Sequence, residues 1–229
     1  MDQLVSVVIP THNGQRYISA TLDSVLAQRH RPLEVLVVDD GSKDATAETV
    51  RGYAREVRLI EQDQRGHPAA RNTGIRAAAG EFLGFLDHDD LWSPDKLELQ
   101  IASFERDPAL DLVFGHMQNF LTPEMRPEER QRLAVPLRPL PGLLQGAMLA
   151  RRRSFDRVGL FDEERSVGDF LDWYGRAMLA GMNIEVLPET MVYRRIHAHN
   201  FQRVNKHRRQ EYLRAVKDLL DRRRGAGGS

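Results

Sequence analysis

Residues 68–90 read PAARNTGIRAAAGEFLGFLDHDD. The stretch opens on a proline and is rich in alanine, which predicts a helix over 68–79. Gly80 supplies the stop. Phe82–Leu86 (FLGFL) is an apolar run of strand length, and it ends in Asp87, His88, Asp89 and Asp90. A helix, a stop, a strand and a polar cluster at the strand's carboxyl end form the repeating unit of an α/β sheet.

The same unit recurs upstream. Leu4–Pro10 (LVSVVIP) reads as a strand buried on both faces, and polar THNG follows it. Ile18, Leu22, Val25 and Leu26 then recur at helical spacing. Leu33–Val38 (LEVLVV) runs into Asp39–Asp40–Gly41–Ser42; residues 44–55 read as helical, and Val57–Ile60 as a third strand. Downstream, Ser93–Pro94 is expected to open a helix with serine as N-cap and proline in the first turn. Leu97, Ile101 and Phe104 give that helix one apolar face. Apolar runs alternating with amphipathic helices predict an α/β fold with a mainly parallel sheet flanked by helices.

The second half is less regular. A strand is expected within Leu110–Leu121, a proline-rich charged loop or short helix over 122–141, and a return to the core at 143–150. A turn and short helix over 154–164, a helix near 169–180 and a strand near 183–187 follow. A last amphipathic helix carries Tyr212, Val216, Leu219 and Leu220 on one stripe. No repeat or linker divides the chain. It reads as one domain over 1–202, with halves of about 1–110 and 111–202, then a basic helix and tail over 203–229.

The 229 residues include 33 Lys or Arg and 33 Asp or Glu, a formal net charge of zero. That zero is a sum of opposites. Residues 203–224 hold nine basic and three acidic side chains, a net of +6, which leaves 24 basic and 30 acidic over 1–202, a net of −6. The acidic body disfavours a uniformly basic nucleic-acid binder. The basic helix has three readings: docking on the acidic body, peripheral contact with an anionic membrane surface, or nucleic-acid binding. No aromatic-rich basic surface supports the third, so no nucleic-acid partner is expected. The absence of cysteine excludes disulfides, thiolate zinc sites, iron–sulfur clusters and cysteine nucleophiles. The stretch MDQLVSVVIPTHN has no basic region ahead of a long apolar segment, and no run of 18 apolar residues occurs. The expectation is a cytoplasmic protein, with the inner membrane face as the peripheral alternative.

In an open parallel sheet, ligands bind beyond the carboxyl ends of the strands. Thr11–Asn13, Asp39–Asp40 and Asp87–Asp90 all fall there. Acids in such places also serve as helix caps. Asp87, Asp89 and Asp90 ask for more, because three carboxylates in four residues repel one another. Mg²⁺ or Mn²⁺, which take oxygen ligands and bridge carboxylates to substrate phosphates, would offset that repulsion. The competing reading is a solvated acidic turn that caps the next helix.

Taken together, VSVVIPTHN (5–13), VLVVDDGSKDAT (35–46), GHPAARNTGIRAAAGEFLGFLDHDDLWSPDKL (66–97), GAMLARRRSFDRVGLFDE (146–163), VGDFLDWYGRAMLAG (167–181) and RRIHAHN (194–200) resemble the family 2 glycosyltransferases. The resemblance covers about residues 4–200 and implies the GT-A fold, a Rossmann-like sheet. It implies that Pro10, Thr11 and Asn13 lie beside the nucleotide. Asp39 would accept from the imino group of uracil or another base, and Asp40 would support that turn or contact ribose. Arg71 would face the base or phosphate, with Asn72 ordering the loop. Asp87, with His88 beside it, would contact the ribose or donor sugar. Asp89 would be the principal ligand of Mn²⁺ or Mg²⁺, and Asp90 would cap or orient the loop. Arg195, with Arg194 or His197, would add a second positive contact, and His197 is also a candidate metal ligand.

Members of that family commonly show an acidic pair, an aromatic and an arginine on the helix that here reads GDFLDWYGRA. Counting back from Arg176 aligns Asp169 with the first acid and Phe170 with the second. Asp169 is the favoured catalytic base and Asp172 the alternative. Without catalysis they read as an N-cap and a surface residue. Trp92, Trp173 and Tyr174 either line an acceptor site or belong to the core. The expected reaction is inverting, metal-assisted transfer from a nucleotide-diphosphate sugar to an acceptor hydroxyl. UDP is the favoured carrier because Asp39 and Arg71 match the family's uracil-facing positions. The acceptor, whether glycan, lipid, peptide or small molecule, is left open. One rival is a nucleotidyltransferase, although THNGQR offers a single glycine where a triphosphate loop is expected. Another is a non-catalytic sugar-nucleotide-binding protein, which the altered acidic pair motivates.

Overall fold

Every side chain of β1 (Val5–Thr11) is buried, as a strand with a core on both faces requires. Val5, Val7 and Ile9 enter one hydrophobic core, with Ile18, Leu22, Val37 and Phe104. Val8 enters the other, with Leu36, Ala70, Phe85 and Trp173. Two cores on the two faces of one sheet make a three-layer α/β/α arrangement. The computed structural model describes residues 3–197 apart from 124, 126, 127, 129–134 and 166.

Helices α1 (Ile18–Leu26), α2 (Thr46–Arg51) and α4 (Lys96–Arg106) cover the first face, and α3 (His67–Ala77), α5 (Arg152–Val158) and α6 (Asp169–Leu179) the second. Helix α3 lies very close to β1. A Cβ on Gly74 would fall 2.2 Å from Val8 Cγ1, so only glycine permits this approach.

The amino-terminal half forms parallel strands in the order β3 (Val57–Gln62), β2 (Leu33–Asp40), β1, β4 (Phe82–Phe85). The register pairs Thr11 with Asp39 and Val8 with Phe85, so the polar clusters emerge side by side at one edge. Beyond β4 the sheet becomes mixed. β8 (Leu149–Arg151) runs antiparallel to β4 and to β6 (Leu112–Leu121). β9 (Ile184–Ile196) is parallel to β6 and antiparallel to β5 (Leu91–Trp92), and β7 (Leu140–Pro141) pairs with β6.

Two local readings change, and an open one is decided. Helix α4 begins at Lys96, not at Pro94. The Ser93 N–H donates to Met191 O and its carbonyl accepts from Gln28 Nε2 at 2.6 Å, so Ser93 ties β5 to β9 instead of capping a helix. The strand expected near 183–187 runs on to Ile196, because pairing with β6 carries it through polar residues and past register shifts around His116. Trp92 and Trp173 are core residues, and their indoles donate to the carbonyls of Gly146 and Gly159, each at 2.9 Å. The helix and tail over 203–229 and much of the 122–141 segment lie outside the described residues. No helix among the described residues is long and apolar enough to cross a membrane.

Candidate functional site

The carboxyl ends of β1 and β2 build one wall. Thr11 is buried and its hydroxyl has no hydrogen-bond partner. Asn13 sits at φ +53°, a left-handed conformation that asparagine tolerates. Its N–H donates to Ser42 Oγ, and its side-chain oxygen accepts from the Lys43 N–H, both at 2.8 Å. Asn13 therefore pins the 11–14 turn to the 41–44 turn. Asp39 is buried and accepts from the Ser42 N–H at 2.9 Å.

Asp40 faces the other way. Its carboxylate accepts from Gln62 Nε2, the Arg65 N–H and the Gly66 N–H at 2.7, 2.8 and 2.7 Å. Of its two expected roles, the geometry is that of turn support. It fixes the approach to α3, and with it Arg71.

The loop after β4 faces this wall. Gly14 separates Thr11 from His88: a Cβ there would fall 2.4 Å from Thr11 Oγ1 and 2.8 Å from His88 Cδ2. His88 Nδ1 is buried without a hydrogen-bond partner. Two adjacent orphaned polar atoms are costly unless a ligand or water satisfies them. The Asp87 carboxylate accepts from Arg71 Nη2 at 3.1 Å and from Gln145 Nε2 at 3.4 Å. Burial works against its charge, yet the Arg71 guanidinium prevails and holds the carboxyl below the usual range.

The end of β9 closes the loop from the far side. Asp90 is buried and accepts from the Arg195 N–H at 2.8 Å. Burial, then the charges of Asp89 and Asp87, push Asp90 well above the ordinary carboxylate range. Its carboxylate thus joins the loop to the end of β9. Arg195 Nε donates to the Asp89 carbonyl at 2.8 Å, and its guanidinium lies between the rings of Tyr17 and Phe120, 4.7 and 4.8 Å from their centroids. His197 Nε2 stands 3.0 Å from Asp89 Oδ2. The two are within hydrogen-bond distance, and the Asp89 carboxylate is the kind of oxygen ligand that Mn²⁺ or Mg²⁺ takes. Among the described residues there is no group of three or more His, Asp or Glu that could hold a metal ion.

Helix α6 brings the carboxylates of the second half. Asp169 is its first residue, and Arg71 Nη1 donates to Asp169 Oδ2 at 2.5 Å. Asp172 is turned away. It accepts from Arg176 Nε at 2.9 Å, stands 3.6 Å from Arg165 Nη2, and its side chain is 5% exposed. It is thus enclosed and not a surface residue.

Two residues at the site, His67 and Gln145, carried no signal of their own. His67 opens α3 one turn before Arg71. Burial, then the Arg71 charge, lowers its pKa and favours the neutral imidazole. Gln145 reaches Asp87 from a 3-10 turn (Gln145–Ala147) that tertiary contacts alone deliver. Asn72 bonds to both the N–H and the carbonyl of Phe161, at 3.0 and 2.9 Å, and to Glu163. It therefore fastens the segment before α6 to α3. The resemblance implied a loop-ordering role for Asn72, and 161–163 is the segment its side chain bonds.

The family described as Glycosyl transferase family 2 matches residues 6–159. An uncharacterized glycosyltransferase of Rickettsia typhi is 30% identical over 207 residues, 85% of this chain and 64% of that protein. The Escherichia coli protein WfgD, named UDP-Glc:alpha-D-GlcNAc-diphosphoundecaprenol beta-1,3-glucosyltransferase, is 41% identical over 103 residues, 44% of this chain and 41% of its own length. The crystal structure of Staphylococcus aureus TarS residues 1–349 superposes with a TM-score of 0.69 at 25% identity, covering 83% of this chain and 60% of that one. The chain thus spans less than two thirds of the length of these relatives. The match runs through the parallel strands and the acidic loop at their edge, and the chain belongs to glycosyl transferase family 2.

Proposed function

We propose that the chain transfers a sugar from a nucleotide-diphosphate sugar, UDP-linked in the favoured case, to an acceptor hydroxyl with inversion at the anomeric carbon. One observation carries the reading. A carboxylate from the second half, Asp169, and a carboxylate at the sheet edge, Asp87, meet at a single buried guanidinium. A base-bearing helix and a donor-binding edge are thereby drawn to one place. The UDP-Glc in the name of the Escherichia coli relative supports UDP as carrier.

In this reading Asp39 accepts from the nucleobase, and Thr11, Asn13 and His88 line the nucleotide. The unpartnered Thr11 hydroxyl and His88 Nδ1 find their partners on the donor. Asp87 accepts from a hydroxyl of the ribose or sugar. Asp89, with His197 beside it, would hold Mn²⁺ or Mg²⁺, which when bound would supply charge neutralisation for a diphosphate leaving group. Arg195, clamped by Tyr17, Phe120 and the Asp89 carbonyl, adds positive potential beside it. Asp169 takes the acceptor's proton as its oxygen attacks opposite the departing nucleotide.

A thermal-shift screen of nucleotide sugars with and without Mn²⁺ or Mg²⁺ finds the donor, and release of the nucleotide diphosphate then reads turnover. D169N is expected to lose about 100-fold or more in kcat while still binding the donor. D89A is expected to lose the metal requirement together with turnover. Full activity in D169N would sink the base assignment.

A further inference from the structure

Arginine is rarely buried this deeply unless it is paired. Arg71 is 3% exposed, and its two terminal nitrogens go to different carboxylates. Nη1 reaches Asp169, 98 residues away at the start of α6, and Nη2 reaches Asp87 at the end of β4. A planar fork can serve two acceptors at once; a lysine ammonium, a point charge on a flexible stem, cannot reproduce that geometry. The fork is itself held in place. The Phe161 ring lies 5.9 Å from the guanidinium carbon, and the neighbouring Asn72 fixes the Phe161 backbone. Gly168, which precedes Asp169, adopts φ +79°, and no side chain caps α6. The bond from Arg71 is therefore what the structure offers to orient the Asp169 carboxylate.

A general base must be ionised and held to a fraction of an ångström. We infer that Arg71 is a positioning residue, which orients the Asp169 carboxylate and couples it to Asp87 on the donor side, and that its terminal nitrogens are not a nucleotide contact. This rests on the transferase reading, in which Asp169 is the base.

The test compares R71M, R71K, D169N and R71M/D169N with wild type, all as the full chain. UDP binding with Mn²⁺ is read by calorimetry. Turnover is read as UDP released from UDP-glucose and UDP-N-acetylglucosamine. Positioning predicts that R71M loses about 100-fold in kcat with UDP affinity near wild type, and that R71K recovers part of the loss. It also predicts that R71M/D169N is no slower than D169N, because the two residues act as one unit. The R71M crystal structure should show the Asp169 side chain displaced. A nucleotide contact predicts the opposite split: about tenfold weaker UDP binding with kcat retained, and losses that add in the double variant. Either result overturns the inference. A wild type that releases no UDP from either sugar speaks against those two donors and not against the bridge. The R71M structure then decides the bridge, and an unmoved Asp169 refutes it. Should R71M fail to fold, R71K carries the same comparisons, since it keeps the charge but loses the fork.

Discussion

Asp169 and Asp172 stand three residues apart on α6, yet they meet different surroundings. Asp169 faces the sheet edge through Arg71, whereas Asp172 is held by Arg176 and Arg165. D172N should therefore keep turnover while lowering stability by about 1–3 kcal/mol, as read by urea unfolding, because it weakens a buried charged pair. Lys96 poses a separate problem. It is fully buried, with its amine 2.6 Å from Gln100 Oε1 and 4.1 Å from the centre of the Trp92 ring. Burial pushes its pKa well below 10.5. Between that lowered value and 10.5 the unfolded chain binds the extra proton, so this lysine makes stability rise with pH. Wild type should gain on K96M in urea midpoint as pH rises from about 7 to about 10, and a constant difference would refute the assignment. Neither behaviour can be read from the residue type. DFLD and SPDK are each compatible with exposed helix starts, and only the packing shows which side chains are enclosed.

At the scale of elements, the parallel half was readable because its strands are buried on both faces and announce themselves as unbroken apolar runs. β5 and β8 span two and three residues and have no room for a periodic signal. β9 was read short because its exposed positions and Pro188 interrupt the pattern, although pairing with β6 carries it through. That extension matters, since it delivers Arg195 and His197 to the acidic loop. Asn72 joins α3 to the segment that leads into α6. N72A strips hydrogen bonds from the backbone of Phe161 and is expected to cost about 1–3 kcal/mol in urea unfolding. If the segment also carries Asp169, N72A should slow turnover more than it weakens donor binding.

Over the whole molecule, the zero net charge separates into an acidic body and a basic segment at 203–224. If that segment meets an anionic surface, the full chain should cosediment with vesicles containing phosphatidylserine, and salt should release it. Cosedimentation that ignores both lipid charge and salt would refute this. Sequence alone determined the α/β class, the placing of Thr11, Asp39 and Asp87–Asp90 at one sheet edge, and the family resemblance. It could do so because burial on two faces and polar strand ends are local patterns that survive in one dimension. Only the tertiary structure decided that Asp40 braces a turn, that Asp169 and not Asp172 faces the edge, and that Arg71 lies between two carboxylates. Those outcomes depend on which side chains 98 residues apart share one buried space, and no local periodicity encodes that.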